Sequence, residues 1–284
     1  MAAARLSPAA FLAALLGALA CLLALSAAAQ SPTFTVSGRD QSRTFTQKAL
    51  LANPAIRSVT VADPVYRRTM TYRAIPLAEL LKGTGIGPDD YAQARAVDHF
   101  SVAIPGRLAA SSDPAQVEAF LAIEDPAAPW PPLPGKQDKA SAGPFYIVWR
   151  RAPSVQISPE YWAYRLATVA VTDSPLKRWP GLAVGPDVPA GDRIRSGLDR
   201  FVELCMSCHR FNGDGEGDQG PDLGRPMNVT EYFQTPALKK LIRDPASVRQ
   251  WPEQKMQGVD QSVLSDSDLD AMIDWFAYKA RQRR

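Results

Sequence analysis

Cysteine and histidine are scarce in this chain: among 284 residues there are three of the first and two of the second. Three cysteines cannot build the disulfide framework that holds small secreted domains together. The two histidines, His99 and His209, leave little choice of imidazole ligand for any metal. An excess of one charge is missing too. The net charge is only +3, with acidic and basic residues interspersed, which excludes a nucleic-acid-binding footprint. No internal repeat occurs, so the halves of the chain are different modules. What is present is an apolar share of 46%, that of a globular protein, in a length sufficient for two units that each bury a core.

The N-terminus carries Arg5, an apolar run from Phe11 to Leu25, and then Ser26-Ala27-Ala28-Ala29-Gln30. This order is that of a secretory signal with small residues at the cleavage point, expected after Ala29. An uncleaved membrane anchor is the alternative, since the run from Ala9 to Ala29 approaches the length that spans a bilayer. Cys21 lies inside the apolar run, and with residues 1–29 removed only Cys205 and Cys208 remain.

Residues 31–174 read as a mixed α/β unit. Thr33-Phe34-Thr35-Val36 and Ser58-Val59-Thr60-Val61 alternate like strands. Pro76 suits the start of a helix through Leu81, which Gly83 and Gly85 end. Val97 to Ile104 is a further strand candidate, and Asp113 to Ile123 has helical spacing. The Pro-rich stretch from Pro126 to Gly135 is loop, and Phe145 to Trp149 and Leu166 to Thr172 are strands. Residues 175–189, with Pro175, Pro180, Pro186 and Pro189, read as an extended linker. Residues 190–284 read as all-α. Asp192 caps a helix running towards Cys205, and Ser265 caps a last helix with Leu269, Met272, Ile273 and Phe276 on its apolar face.

Cys205-Met206-Ser207-Cys208-His209 is the sharpest motif. In a C-x-x-C-H run, two thiols one helical turn apart add across the two vinyl groups of a porphyrin, and the next histidine reaches the iron. A dithiol redox pair is the rival, but it requires no following histidine and expects a βαβ context. Both cysteines are then consumed by one covalent haem c.

Around this motif, residues 190 to 280 resemble the class I c-type cytochromes. Gly197 and Phe201 match the small residue and aromatic where the terminal helices of that family cross, with Trp275 and Phe276 as partners in the last helix. Gly220-Pro221-Asp222-Leu223 matches the family's Gly-Pro-x-Leu segment. The resemblance implies that the Pro221 carbonyl accepts a hydrogen bond from His209 and leaves its other nitrogen for iron. The intervening Asn212 to Asp218 lacks the glutamate of a calcium loop and reads as a solvated, flexible insertion. For the sixth ligand, His99 belongs to the other module and Met206 lies between the cysteines. Met227, Met256 and Met272 remain. The family's ligand sits on an extended loop before the last helix, where Met256 stands; Met227 is the reserve, and Met272 reads as core.

The first module resembles the molybdopterin-binding domain of the sulfite oxidase family over roughly residues 33 to 173. The segments that carry the likeness are Thr71 to Leu81, Ala96 to Phe100, Gly143 to Trp149, and Trp162 with Leu166 and Val169. In that family a cysteine thiolate binds molybdenum, and this module has no cysteine. The expectation is therefore a docking or scaffold domain without molybdopterin. Substitution of the ligand by His99 or Asp98, or a pterin held by backbone groups alone, stays open. Arg73, Arg107, Arg150 and Arg151 read as solvated charges or as an anion pocket, and Trp130 as a docking tip or a plug over the core.

The whole then reads as an exported, periplasmic electron carrier with one haem, passing electrons between a donor and an acceptor redox protein. It touches membrane only if the signal segment stays as an anchor facing the periplasm. The alternative is a self-contained molybdopterin-dependent oxidoreductase that feeds its own haem.

Overall fold

Alternation of apolar and polar side chains builds the first half of the molecule. In β3 (Arg57–Asp63), Val59, Val61 and Asp63 are buried while their neighbours are exposed. In β4 (Arg68–Pro76) the antiparallel register sets Val59 opposite Tyr72 and Val61 opposite Met70. The computed structural model describes residues 31–136, 138–252 and 254–282. Residues 1–30, with the expected signal segment and Cys21, and the last two arginines, Arg283 and Arg284, lie outside the described residues. Among the described residues no helix is long and apolar enough to cross a membrane.

Two five-stranded sheets form the N-terminal domain. The first has the order β2-β1-β10-β5-β6 and contains β1 (Thr33–Ser37), β2 (Ser42–Thr46), β5 (Tyr91–Ala96), β6 (Ser101–Pro105) and β10 (Leu166–Thr172). All its pairings are antiparallel except β1 with β10. The second holds β3, β4, β7 (Ser112–Asp113), β8 (Val117–Ile123) and β9 (Phe145–Arg151), with β8 between β4 and β9. Phe34, Tyr72, Ile75, Phe120, Tyr146 and Trp149 fill the core.

Three sequence expectations change here. The unit is β-rich, because α1 (Gln47–Leu51), α2 (Leu77–Leu81) and α3 (Gly106–Ala109) are single turns. The segment from Asp113 to Ile123, expected as helix, is the end of β7, a three-residue turn and then β8. Every residue of Val117–Ile123 is buried, and a strand covered on both faces shows an unbroken apolar run that periodicity cannot tell from a helix. Val97 to Ile104, expected as one strand, is a turn leading into β6. His99 sits in that turn at φ 71°. Trp130 lies edge-on to Tyr72 at 4.9 Å and packs on the core, which is the plug reading.

The Pro-rich connection is not extended. It folds into α4 (Pro175–Arg178) and a 3-10 turn over Pro180–Leu182, since a proline fits the first turn of a helix as well as an extended chain. Leu182, Val184 and Val188 join a second core, so the segment belongs structurally to the helical half.

That half contains α5 (Arg193–Leu204), α6 (Val229–Tyr232), α7 (Thr235–Arg243), α8 (Pro245–Val248) and α9 (Asp266–Gln282). Asp192 caps α5 by accepting from Ile194 N at 2.9 Å, and Ser265 Oγ accepts from Asp268 N at 3.1 Å at the start of α9. The two long helices cross at Gly197, where an added Cβ would stand 2.8 Å from Met272 N. Phe201 stacks on Trp275 at 4.8 Å beside that crossing. Since helix α9 cannot retreat without unpacking Trp275, Gly197→Val should lower the stability of the loaded protein by about 1–3 kcal/mol, read as a lower denaturant midpoint.

Candidate haem site

Helix α5 delivers the motif. Its last residue is Leu204, and the chain continues as a tight turn in which His209 N donates to the Cys205 carbonyl at 2.9 Å and Cys208 N donates to the same carbonyl at 3.1 Å. The turn holds the two thiols and the imidazole close together in one local structure. Cys205 and Cys208 are free and partly buried. Burial pushes the Cys205 thiol up to about 12, with the nearby Glu160 carboxylate adding to the rise. Burial raises Cys208 as well, and Glu160, Lys255 and Asp98 all act on it.

His209 is fixed from its other side. Nδ1 lies 2.8 Å from the Pro221 carbonyl, an acceptor only, so Nδ1 carries the proton and Nε2 keeps its lone pair. Burial lowers the pKa of this imidazole and favours the neutral form that a metal needs. Gly220 allows the approach: a Cβ there would stand 2.6 Å from Nδ1. Gly220 N also donates to the Cys208 carbonyl at 2.9 Å.

The carboxylate of Asp222 organises this loop. It accepts from Asn212 N at 2.9 Å, Gly213 N at 2.6 Å, Gly224 N at 2.8 Å and Arg225 N at 3.1 Å, tying the chain after the motif to the chain after Pro221. The supposed flexible insertion is anchored instead. Glu216 accepts from Arg95 and from Ser101 Oγ, each at 2.9 Å, and pairs with Arg178. Three donors on one carboxylate outweigh the freedom that Gly213, Gly215 and Gly217 give the loop.

The methionines separate by environment. Met272 is fully buried, its Sδ 3.7 Å from Cys205 Sγ. Met227 is half-exposed. Met256 is partly buried and packs on the second core, in an irregular segment pinned where Val259 N donates to the Ile242 carbonyl at 2.9 Å. Its neighbour Lys255 is close enough for its charge to act on Cys208. In the other half, Asp98 and His99 are exposed in the β5–β6 turn. Arg73 is engaged by Asp125 at 2.8 Å, Arg150 by Glu118, and Arg151 by the Val155 carbonyl at 2.8 Å. These arginines have separate local partners and do not converge on one pocket.

The donor set fits a covalently held haem: two thiols on one turn, an imidazole with Nε2 available, and glycine where a side chain would press on that ring. The buried Trp275 Nε1 is, in addition, a donor without a partner among the described residues.

A turn of this kind between two crossing helices has the donor set that a covalently held haem requires. Residues 196–278 match the Cytochrome c family. The match does not extend to the β-rich half, and no curated protein matches the chain. A cytochrome c domain implies haem-based electron transfer with redox partners, and Cys205 and Cys208 are consistent with covalent haem c.

Sequence reasoning did not find Glu160, Ser207, Glu216 or the role of Asp222. Only Asp222 carried a signal, its place directly after Pro221 in the Gly-Pro-x-Leu segment. If the two thiols carry the haem, wild-type protein retains haem stain through denaturing electrophoresis. The double variant Cys205→Ser, Cys208→Ser should lose it entirely.

Proposed function

We propose that the chain is an exported carrier of single electrons, with one haem bound covalently at Cys205 and Cys208 and ligated by His209 and Met256. The observation that carries this reading is the His209–Pro221 hydrogen bond beside the paired thiols, which orients an imidazole with Nε2 free. When bound, the haem supplies a one-electron ferric–ferrous couple. His209 holds its proton on Nδ1, and Gly220, having no side chain, leaves the space that its ring occupies. Met256 is favoured over Met227 by its packing on the second core and by the proximity of Lys255 to Cys208. A thioether ligand raises the potential relative to a second imidazole, because soft sulfur favours ferrous iron. His209 and Met256 would together hold the iron, and the bound group would then supply electron transfer rather than a place for a substrate.

The β-rich domain serves, in this reading, to dock the carrier to a redox partner. Its dispersed likeness to the molybdopterin-binding domain of the sulfite oxidase family supports a common scaffold, and its lack of cysteine supports use without molybdenum. Tethering keeps the haem at a high effective concentration beside that partner. The N-terminal signal supports a periplasmic location.

Ferric protein should show the weak far-red absorption of a sulfur–iron bond. Met256→Ala should abolish that band and lower the midpoint potential. Loss of the band in Met227→Ala instead would overturn the assignment. Metal analysis of the same preparation should give iron near one per chain; stoichiometric molybdenum would favour the self-contained oxidoreductase.

A further inference from the structure

Ser207, between the two haem-attaching cysteines, is buried, and its partner comes from the other domain. Its Oγ donates to Glu160 Oε2 at 2.7 Å. Glu160 lies in the 3-10 turn Pro159–Tyr161, which is fixed on three sides. Ser158 Oγ accepts from Glu160 N at 3.3 Å and donates to the Glu203 carbonyl, in the last turn of α5, at 3.3 Å. Behind the turn, Trp149 Nε1 donates to the Tyr161 carbonyl at 2.9 Å, anchoring it to β9 and the core of the β-rich domain. A carboxylate is thus presented to the haem turn on a rigid mount.

Glu160 has no cation against it. Among the described residues it forms no ion pair, unlike Glu118 and Glu216, which each hold arginines. The residue is half-buried, its carboxyl group bonded to the buried Ser207, and the loss of water raises its pKa. Its charge acts on both Cys205 and Cys208. A field that reaches both sulfurs reaches the edge of whatever ring they carry. In such a partly desolvated place a unit charge is screened much less than at the surface.

We propose that Glu160 is a tuning residue of the haem, an unpaired carboxylate which the β-rich domain holds against the attachment turn and which lowers the reduction potential by stabilising the ferric state. This rests on the haem reading above. Reduction adds one electron, supplied by the redox partner, and removes one positive charge from the iron, with no bond made or broken at Glu160. The ferric centre is attracted to the carboxylate by that extra charge, and the ferrous centre is not. By linkage, the contact between Glu160 and the haem turn is tighter in the oxidised protein than in the reduced one. The β-rich domain therefore acts on the electron carrier directly as well as docking it.

The test is an equilibrium redox titration of full-length, haem-loaded protein at alkaline pH, which favours the ionised carboxylate. Glu160→Gln keeps an oxygen that accepts from Ser207 and removes the charge. Its midpoint potential should rise, by about tenfold in the equilibrium constant for reduction, the size expected of one partly screened charge. The far-red sulfur–iron band should be unchanged. Ser207→Ala removes the hydrogen bond but leaves the charge, and should stay close to the wild-type potential. A Glu160→Gln protein that titrates at the wild-type potential overturns the proposal. So does a Ser207→Ala shift as large as that of Glu160→Gln, because packing and not charge would then be the cause. Absence of covalent haem from the wild type would instead fault the haem reading, and haem staining of the same sample separates the two failures.

Discussion

The hydrogen bond from His209 Nδ1 to the Pro221 carbonyl is the constraint around which the helical domain is arranged. It needs His209 at the end of a tight turn, and α5 leads into that turn with the Phe201 carbonyl accepting from both Cys205 N and Met206 N. It needs Pro221 at a fixed depth, and the four backbone donors on Asp222 supply that. It also needs room, which Gly220 provides by having no side chain. The crossing at Gly197, with Phe201 stacked on Trp275, then holds α5 against α9 so that the turn cannot drift. Local bonds set the ligand, and helix packing keeps it set.

The second consequence concerns the two halves of the protein. Polar contacts join the helical half to the β-rich half: Glu216 under Arg95 and Ser101, Ser207 on Glu160, and the Glu203 carbonyl under Ser158. The first two lie on the stretch from Cys205 to Pro221, which holds the paired thiols and His209. A domain added only as a tether would have no reason to grip that stretch. The carboxylate at Glu216 is neutralised by its arginines, whereas the one at Glu160 is not, so the two contacts have different electrostatic effects. One fixes position, and the other sets a carboxyl group without an ion-pair partner among the described residues beside the attachment turn.

The parts of this arrangement that were legible in sequence are the local ones. Cys205, Cys208 and His209 fall within one turn, and a turn's chemistry is written in consecutive residues. Strands such as β3 were legible because only one face is buried. Strand β8 was not, since burial on both faces erased the period that distinguishes strand from helix. The prolines of residues 175–189 were ambiguous between extended chain and first helical turn, and tertiary packing of Leu182 and Val188 decided it. Glu160 could not be found at all. It meets Ser207 across 47 residues of sequence, and no spacing or composition marks a contact between two domains. The anchoring of Glu216 was hidden for the same reason, its partners Arg95 and Arg178 lying on different elements.

The central claim is that one haem, held at Cys205, Cys208 and His209, is the whole redox inventory of the chain. Counting electrons tests it most directly. Stoichiometric reductive titration of the purified, loaded protein, followed in the haem bands and by total charge passed, should consume one electron per chain in a single one-electron wave. Uptake of further electrons per chain, or a second wave without change in the haem bands, would place another redox centre in the β-rich domain and contradict the account.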